Sequence, residues 1–242
     1  MRTVLIDADI LAYQIASSQE EVFEFNGRHV LHADLNDGIK EVHNAIEYIV
    51  EAVDADEFEL FLTHPFNFRR DVLPTYKGNR SGGRKPMILQ GLRDFMLDDL
   101  HAEMWHGLEG DDLIGIWATD PEADGERVIW SADKDMKTIP GLLWNAEDGQ
   151  IDETTEAEAD YNFFFQTLTG DPTDNYKGCP KVGPVAAQRI LDKDCSWEAV
   201  VKAYVKAGLT EEDALQQARC ARILRHGEYN FEQERVTLWT PK

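Results

Sequence analysis

Four short acidic clusters hold the residues of this chain best suited to chemistry. Asp7 closes the apolar run Thr3-Val4-Leu5-Ile6. Glu109-Gly110-Asp111-Asp112 opens an apolar-periodic stretch, Asp133-Lys134-Asp135 follows Val128-Ile129-Trp130, and Asp171-Pro172-Thr173-Asp174 precedes a glycine-bounded segment. Among 46 aspartates and glutamates any single one is more often a surface group. Acids in a first helical turn are favoured by the helix dipole alone, and Asp-Pro is ordinary turn chemistry. Their shared position carries the signal, because in an open α/β sheet the C-terminal strand ends face one crevice. Carboxylates gathered there repel one another unless hard cations neutralise them. The donors are oxygens, with no C-x-x-C or paired-histidine spacing nearby, which points to magnesium or manganese rather than zinc. Two such ions roughly 3.5–4 Å apart form the clamp that activates water and stabilises the leaving oxygen in phosphodiester hydrolysis.

Charge at first argues against a phosphate-rich partner: 24 lysines and arginines against 46 acids leave a net charge of −22. The basic residues are unevenly spread, however. Between Arg69 and Arg93 stand Arg69, Arg70, Lys77, Arg80, Arg84, Lys85 and Arg93, with Asp71 and no acid between Lys77 and Arg93. This basic island, a loop at about 69–93 centred on Tyr76-Lys77-Gly78-Asn79-Arg80-Ser81-Gly82-Gly83-Arg84-Lys85-Pro86, is placed to position a phosphate. Its glycines and proline argue against a regular element there.

These residues must be held by elements that the pattern also predicts. Thr3–Ile6, Phe58–Leu62 and Val128–Trp130 read as buried strands, and a helix is expected after the first, with Asp9 as N-cap. Ile39, Val42, Ile46, Ile49 and Val53 recur at helical steps behind a cap at Asn36 or Asp37; Leu89, Leu92, Phe95 and Met96 do the same behind Pro86. Strands alternating with helices imply an α/β fold with a mostly parallel central sheet. After residue 150 the pattern reads as helical only, with a capping box at Thr155 and Glu158 and an apolar face of Tyr161, Phe164, Phe165 and Leu168. The expected division is therefore an α/β domain over 1–150 and a helical part over 151–242. Within the latter, Gly178-Cys179-Pro180-Lys181-Val182-Gly183-Pro184 has the form of a helix-hairpin-helix module at about 174–192.

At 242 residues and 43% hydrophobic, the chain can bury one large core. Cys179, Cys195 and Cys220 suggest buried thiols rather than a disulfide framework. No apolar run of membrane-spanning length and no leader pattern is read, so a soluble cytoplasmic protein without a membrane partner is expected. Asp7-Ala8-Asp9 also matches the opening of haloacid-dehalogenase-type phosphatases, but Leu11 stands where that motif wants Thr or Val. A DNA-structure-binding module without catalysis and an RNase of the related PIN architecture are further readings of the same acids.

The stretches LIDADIL, PTYKGNR, LEGDDLIG, SADKDMKTIPG and QTLTGDPTDNYKG stand in the order found in the 5′ nuclease superfamily, which the chain resembles over nearly its whole length. DKDMKTIP and the tail ARILRHGEYNF with VTLW look specifically like the T-seven-type phage exonucleases. The resemblance implies a metal-dependent 5′→3′ exonuclease or flap endonuclease acting on DNA. Asp7, Glu109 and Asp111 would serve a first magnesium, with Asp112 acting through water, and Asp133, Asp135, Asp171 and Asp174 a second. It further implies that Lys77 approaches the scissile phosphate and that Arg80 and Arg84 steer the 5′ end, with Tyr76 and Lys85 also at the DNA. The hairpin, through Gly178, Lys181, Val182 and Gly183, would hold the duplex backbone, with a potassium ion; an RNA–DNA hybrid is a further possible substrate. Where the family usually has an aspartate after the second strand, this chain has Thr63-His64-Pro65. An imidazole ligand there would favour softer ions such as manganese; a lone histidine is more commonly an ordered loop residue.

Overall fold

The computed structural model describes residues 1–80, 82–145 and 148–241, so Ser81 of the basic loop lies outside the described residues. The first strand, β1 (Arg2–Asp7), buries Val4, Leu5 and Ile6 completely, as a strand covered on both faces must. Helix α1 (Ala8–Ser18) follows directly, and its cap is Asp7 rather than Asp9: the Asp7 carboxylate accepts from Ile10 N–H at 3.1 Å. An antiparallel ribbon that the sequence reading lacked, β2 (Glu21–Phe25) with β3 (Arg28–His32), turns at Asn26-Gly27. Both turn residues have positive φ, which Asn-Gly tolerates in such a hairpin.

Helix α2 (Leu35–Ala52) is capped by Asp34, two positions before Asn36 and three before Asp37, the caps expected; Asp34 accepts from the N–H groups of those two residues, and the helix buries Val42, Ile46 and Ile49. Then come β4 (Glu57–Phe61) and a single turn, α3 (Arg69–Val72). The basic loop contains one 3-10 turn at Gly78–Arg80, a small regular element where none was expected. Helix α4 (Leu89–Asp98) begins three residues after Pro86, which therefore precedes the helix rather than occupying its first turn; Leu92 and Met96 are its buried positions.

The rest of the chain runs α5 (Gly110–Ala118), β5 (Glu126–Trp130), β6 (Gly141–Asn145), β7 (Gln150–Thr154), α6 (Glu156–Thr169), α7 (Pro184–Leu191), α8 (Trp197–Lys206), α9 (Glu211–Ala221), β8 (Tyr229–Asn230) and β9 (Arg235–Val236). The main sheet has the order β4-β1-β5-β6-β7, the first four parallel and β7 antiparallel to β6. The segment after 150 is thus not purely helical: it opens with a sheet strand and ends on a small ribbon. The capping box of Thr155 and Glu158 does start α6.

Three apolar clusters among the described residues organise the packing. Val4, Ile6 and Val128 pack under α1, α2 and α4 on one sheet face. On the other face, Leu5, Phe61 and Ile129 meet Leu113 of α5 together with Ile223, Leu224 and Tyr229, so the C-terminal segment returns to the α/β part. The third cluster joins α6 to α9 and takes in Tyr76 from the basic loop. No helix among the described residues is long and apolar enough to cross a membrane.

Candidate active site

Because β4, β1, β5 and β6 are parallel, their C-terminal ends open on one side, where a crevice of about 610 Å³ lies. Asp7, Glu109, Asp111, Asp133, Asp135, Asp171 and Asp174 all line it, so one member or more of every acidic cluster reaches the same space. Asp7 is buried at the end of β1, and Ser131, just beyond β5, donates its hydroxyl to the Asp7 carboxylate at 2.9 Å. The same Ser131 oxygen accepts the N–H of Asp133 at 3.0 Å, tying two clusters together. Burial, with repulsion from Asp133 added, pushes Asp7 up to about 6. Burial and the neighbouring Asp7 and Glu109 push Asp111 well above the ordinary carboxylate range.

Glu109 stands at the N-terminus of α5 under the opposite influence. Burial would raise it, but Lys77 and Arg69 hold it down at about 2. The Lys77 ammonium pairs with one Glu109 oxygen and lies 3.5 Å from Asp174. Burial would lower Lys77, but Glu109, Asp174 and Asp111 raise it, so it stays charged. Tyr76 also bridges Glu109 and Asp174, at 3.0 and 2.7 Å from its hydroxyl. Arg80 completes the group with an ion pair to Asp174.

On the far wall, Asp135 accepts from the Gln166 side-chain amide of α6, and burial with the nearby Asp133 pushes it up to about 6. Asp171 and Asp174 lie in a loop closed by two glycines. Gly170 and Gly178 both have left-handed φ, and a Cβ on Gly178 would stand 2.3 Å from the Gly170 nitrogen. Only two residues lacking side chains can approach so closely.

Several expected site residues lie elsewhere. Asp112 does not line the crevice. It is fully buried, and its carboxylate takes two bonds from Arg69, at 2.8 and 2.7 Å, and one each from the N–H groups of Leu224 and Glu109. Arg69, counted in the basic island, is 2% exposed and faces inward. Tyr76 is 2% exposed, so its ring has little surface to offer DNA. Arg84 forms a two-pronged pair with Glu20 at the end of α1 and does not line the crevice, whereas Lys85 does. Gly178 is buried with its N–H bonded to Gln217, which removes that donor from a backbone cradle; Lys181 and Gly183 are exposed and Val182 half-buried. The stretch 174–192 contains one described helix, α7, and the preceding helix ends at Thr169.

His64 lines the crevice, but its Nδ1 lies 3.1 Å from the Phe66 N–H and its ring contacts His106, the geometry of an ordered loop residue. Sequence reasoning missed Ser131, Gln166 and the ion pair of Asp9 with Arg93 inside the crevice. Ser131 was within reach, as the hydroxyl two residues before Asp133; Gln166 depends on a contact across 31 positions.

Among the described residues no three carboxylate, histidine or cysteine side chains stand as a ready ligand set. The donors nonetheless suit a hard cation: they are oxygens, and a dication would offset the burial, and the added repulsion between carboxylates, that raise Asp7 and Asp111. A second cavity of about 550 Å³, beside α9 and β9, mixes Arg219 and Arg235 with Asp71, Glu212 and Glu234, and includes no member of the four clusters.

No protein-family model matches the chain. It is 30% identical to the exodeoxyribonuclease of enterobacteria phage T3, over 99% of this chain and 93% of that protein. It is 31% identical to the exonuclease of Escherichia phage T7, over 98% and 93%. The fold resembles that of the bacteriophage T5 flap endonuclease solved as a pseudo-enzyme–product complex with DNA and metal ions, with a TM-score of 0.66, 14% identity, and coverage of 90% of this chain and 88% of that one.

Proposed function

The chain belongs to the 5′ nuclease superfamily as an exodeoxyribonuclease of the phage T7 type, and we propose that its acidic crevice hydrolyses DNA phosphodiesters at or near 5′ ends with the help of divalent cations. The observation that carries this reading is the meeting of seven carboxylates from four separate clusters in one crevice rimmed by Lys77, Arg80 and Lys85. Identity to two phage exonucleases over nearly the whole chain favours this reading over the phosphatase reading of Asp7-Ala8-Asp9 and over binding without catalysis.

Asp7, Glu109 and Asp111 would hold a first magnesium, and Asp133, Asp135, Asp171 and Asp174 a second, with manganese as a substitute. When bound, such ions activate water and neutralise charge at the scissile phosphate. Lys77, kept charged by its carboxylate neighbours, stabilises the phosphate oxygens where negative charge grows. Arg80 exchanges its pairing with Asp174 for the DNA backbone, and Arg84 must leave Glu20 to do the same. Products carry the 5′ phosphate. Exposed Lys181 and Gly183, with the start of α7, would form the backbone contact of a helix-hairpin-helix-like segment and would hold a potassium ion there; flaps, nicks and RNA–DNA hybrids are candidate substrates beside simple 5′ ends. The α/β unit then runs to about Thr154 and the helical unit from Thr155, with the C-terminal segment packed back on the former.

The test is cleavage of one duplex labelled at the 5′ end in one preparation and the 3′ end in another, with magnesium, manganese or chelator. Early release of short 5′-labelled fragments, abolished by chelator, is expected. Asp111→Asn and Asp133→Asn should each lower turnover by at least about a hundredfold while the far-ultraviolet circular dichroism stays unchanged. Full activity of either variant would overturn the site assignment.

A further inference from the structure

Arg69 enters the sequence as one of a run of basic residues, yet its guanidinium is buried and its hydrogen-bonding capacity is fully used. A guanidinium carries five N–H donors. Here Nε donates to the Cys220 carbonyl at 3.0 Å; Nη1 donates to Asp112 at 2.8 Å and to Glu109 at 3.2 Å; Nη2 donates to Asp112 at 2.7 Å and to the Arg222 carbonyl at 2.5 Å. Two of these acceptors lie at the end of α9, more than 150 positions away, and the carboxylates lie at the start of α5. The Phe68 ring covers one face of the guanidinium at 4.6 Å. Asp112 stands behind the crevice and Glu109 within it, so the fork reaches a crevice carboxylate from the protein side.

We propose that Arg69 is a positioning residue that fixes the direction of Glu109 and thereby sets the affinity of the crevice for divalent ions, with the end of α9 as its anchor. This rests on the reading of Glu109 as a metal ligand. A carboxylate free to rotate must be ordered by the ion it binds. Glu109 is gripped at Oε2 by Arg69 and the Tyr76 hydroxyl and at Oε1 by Lys77, so its remaining lone pairs point in a set direction, and Arg69 ties that direction to Asp112 and the end of α9. Groups that orient ligands from behind typically contribute about 10- to 100-fold in metal affinity. The planar fork is what the geometry uses, so lysine, with the same charge and a single ammonium, cannot replace it.

Arg69→Lys is the diagnostic change because it keeps the charge beside the ions and removes only the fork. Manganese binding is measured by electron paramagnetic resonance without DNA, at a temperature where circular dichroism finds the variant folded. Cleavage is then followed against magnesium concentration. The expected result is manganese binding at least about tenfold weaker, a magnesium requirement raised by a similar factor, and a maximal rate within about threefold of the parent at saturating magnesium. Binding equal to the parent's, with only a lower melting temperature, overturns the proposal and reduces Arg69 to a packing role. Absence of manganese binding by the parent chain would instead remove the metal reading and the proposal with it, so the two failures are distinguishable. If Arg69→Lys does not fold, Asp112→Glu keeps the pair's charge while displacing the fork; weakened manganese binding is expected there too, and parental binding by that folded variant overturns the proposal.

Discussion

Asp7 and Asp135 are both pushed up to about 6, chiefly by burial, and this has a pH consequence whose sign is fixed. A carboxyl whose folded pKa lies above its unfolded value binds more protons when folded. Its favourable contribution is complete below the unfolded pKa, near 4, and is lost as pH rises through about 6. Glu109, held at about 2, works the other way and is lost only well below pH 4. In chelator, the melting temperature is therefore expected to fall between pH 5 and pH 7.5, and the fall should shrink in Asp7→Asn and Asp135→Asn. Because the −22 chain also repels itself more at high pH, the comparison with those variants decides the assignment. Magnesium should restore the lost stability at pH 7.5, since an ion that binds only the folded state stabilises it by mass action; an unchanged melting temperature on adding magnesium would count against an ion site at these carboxylates. Asp111 and Asp112 differ by one position in sequence, yet one lines the crevice and the other is fully committed to Arg69. Successive helix residues point about 100° apart. The tertiary surroundings of α5 then decide which face is crevice and which is core.

Elements with a local signature were read closely. Val42, Ile46 and Ile49 mark the buried face of α2, and Thr155 with Glu158 starts α6, because helical period and capping depend on residues three or four apart. Strands β6 and β7 were missed: Gly141–Asn145 and Gln150–Thr154 are short, and their partners are chosen by pairing with β5 and with each other. The ribbon of β2 and β3 did carry a local mark, Asn26-Gly27 between alternating residues. At this level the glycine clasp is open to test. Gly178→Ala places a methyl against the Gly170 backbone at a left-handed φ and should cost about 2 kcal/mol or more, read by urea denaturation. By shifting the loop of Asp171 and Asp174 it should also lower cleavage at least about tenfold at temperatures where the variant is folded. Parental stability and activity together would show that the loop does not depend on the clasp.

For the whole molecule, the C-terminal segment is a structural part of the α/β unit. Ile223, Leu224 and Tyr229 complete the apolar cluster over α5, and the Leu224 N–H and Arg222 carbonyl close the network of Asp112 and Arg69. Ending the chain after Ala221 would expose that cluster, at about 1.5–3 kcal/mol for each large side chain, and leave buried charges short of partners. Such a truncation is expected to lose cooperative melting, followed by circular dichroism. A sharp transition near the parent temperature would show that the α/β unit stands without its tail.

Residue order alone determined that carboxylates follow the ends of two buried strands, open one helix and precede a glycine-bounded loop, and that Lys77 and Arg80 stand in a basic island within an acidic chain. These features depend on neighbours in sequence. Tertiary structure alone decided that Arg69 turns inward, that Asp112 leaves the crevice while Gln166, Asp9 and Arg93 join the groups around it, and that residues 222–236 return to the sheet. Each of these outcomes requires contact between groups far apart along the chain. A buried charge or amide takes the partner that packing brings to it, and local pattern does not specify that partner.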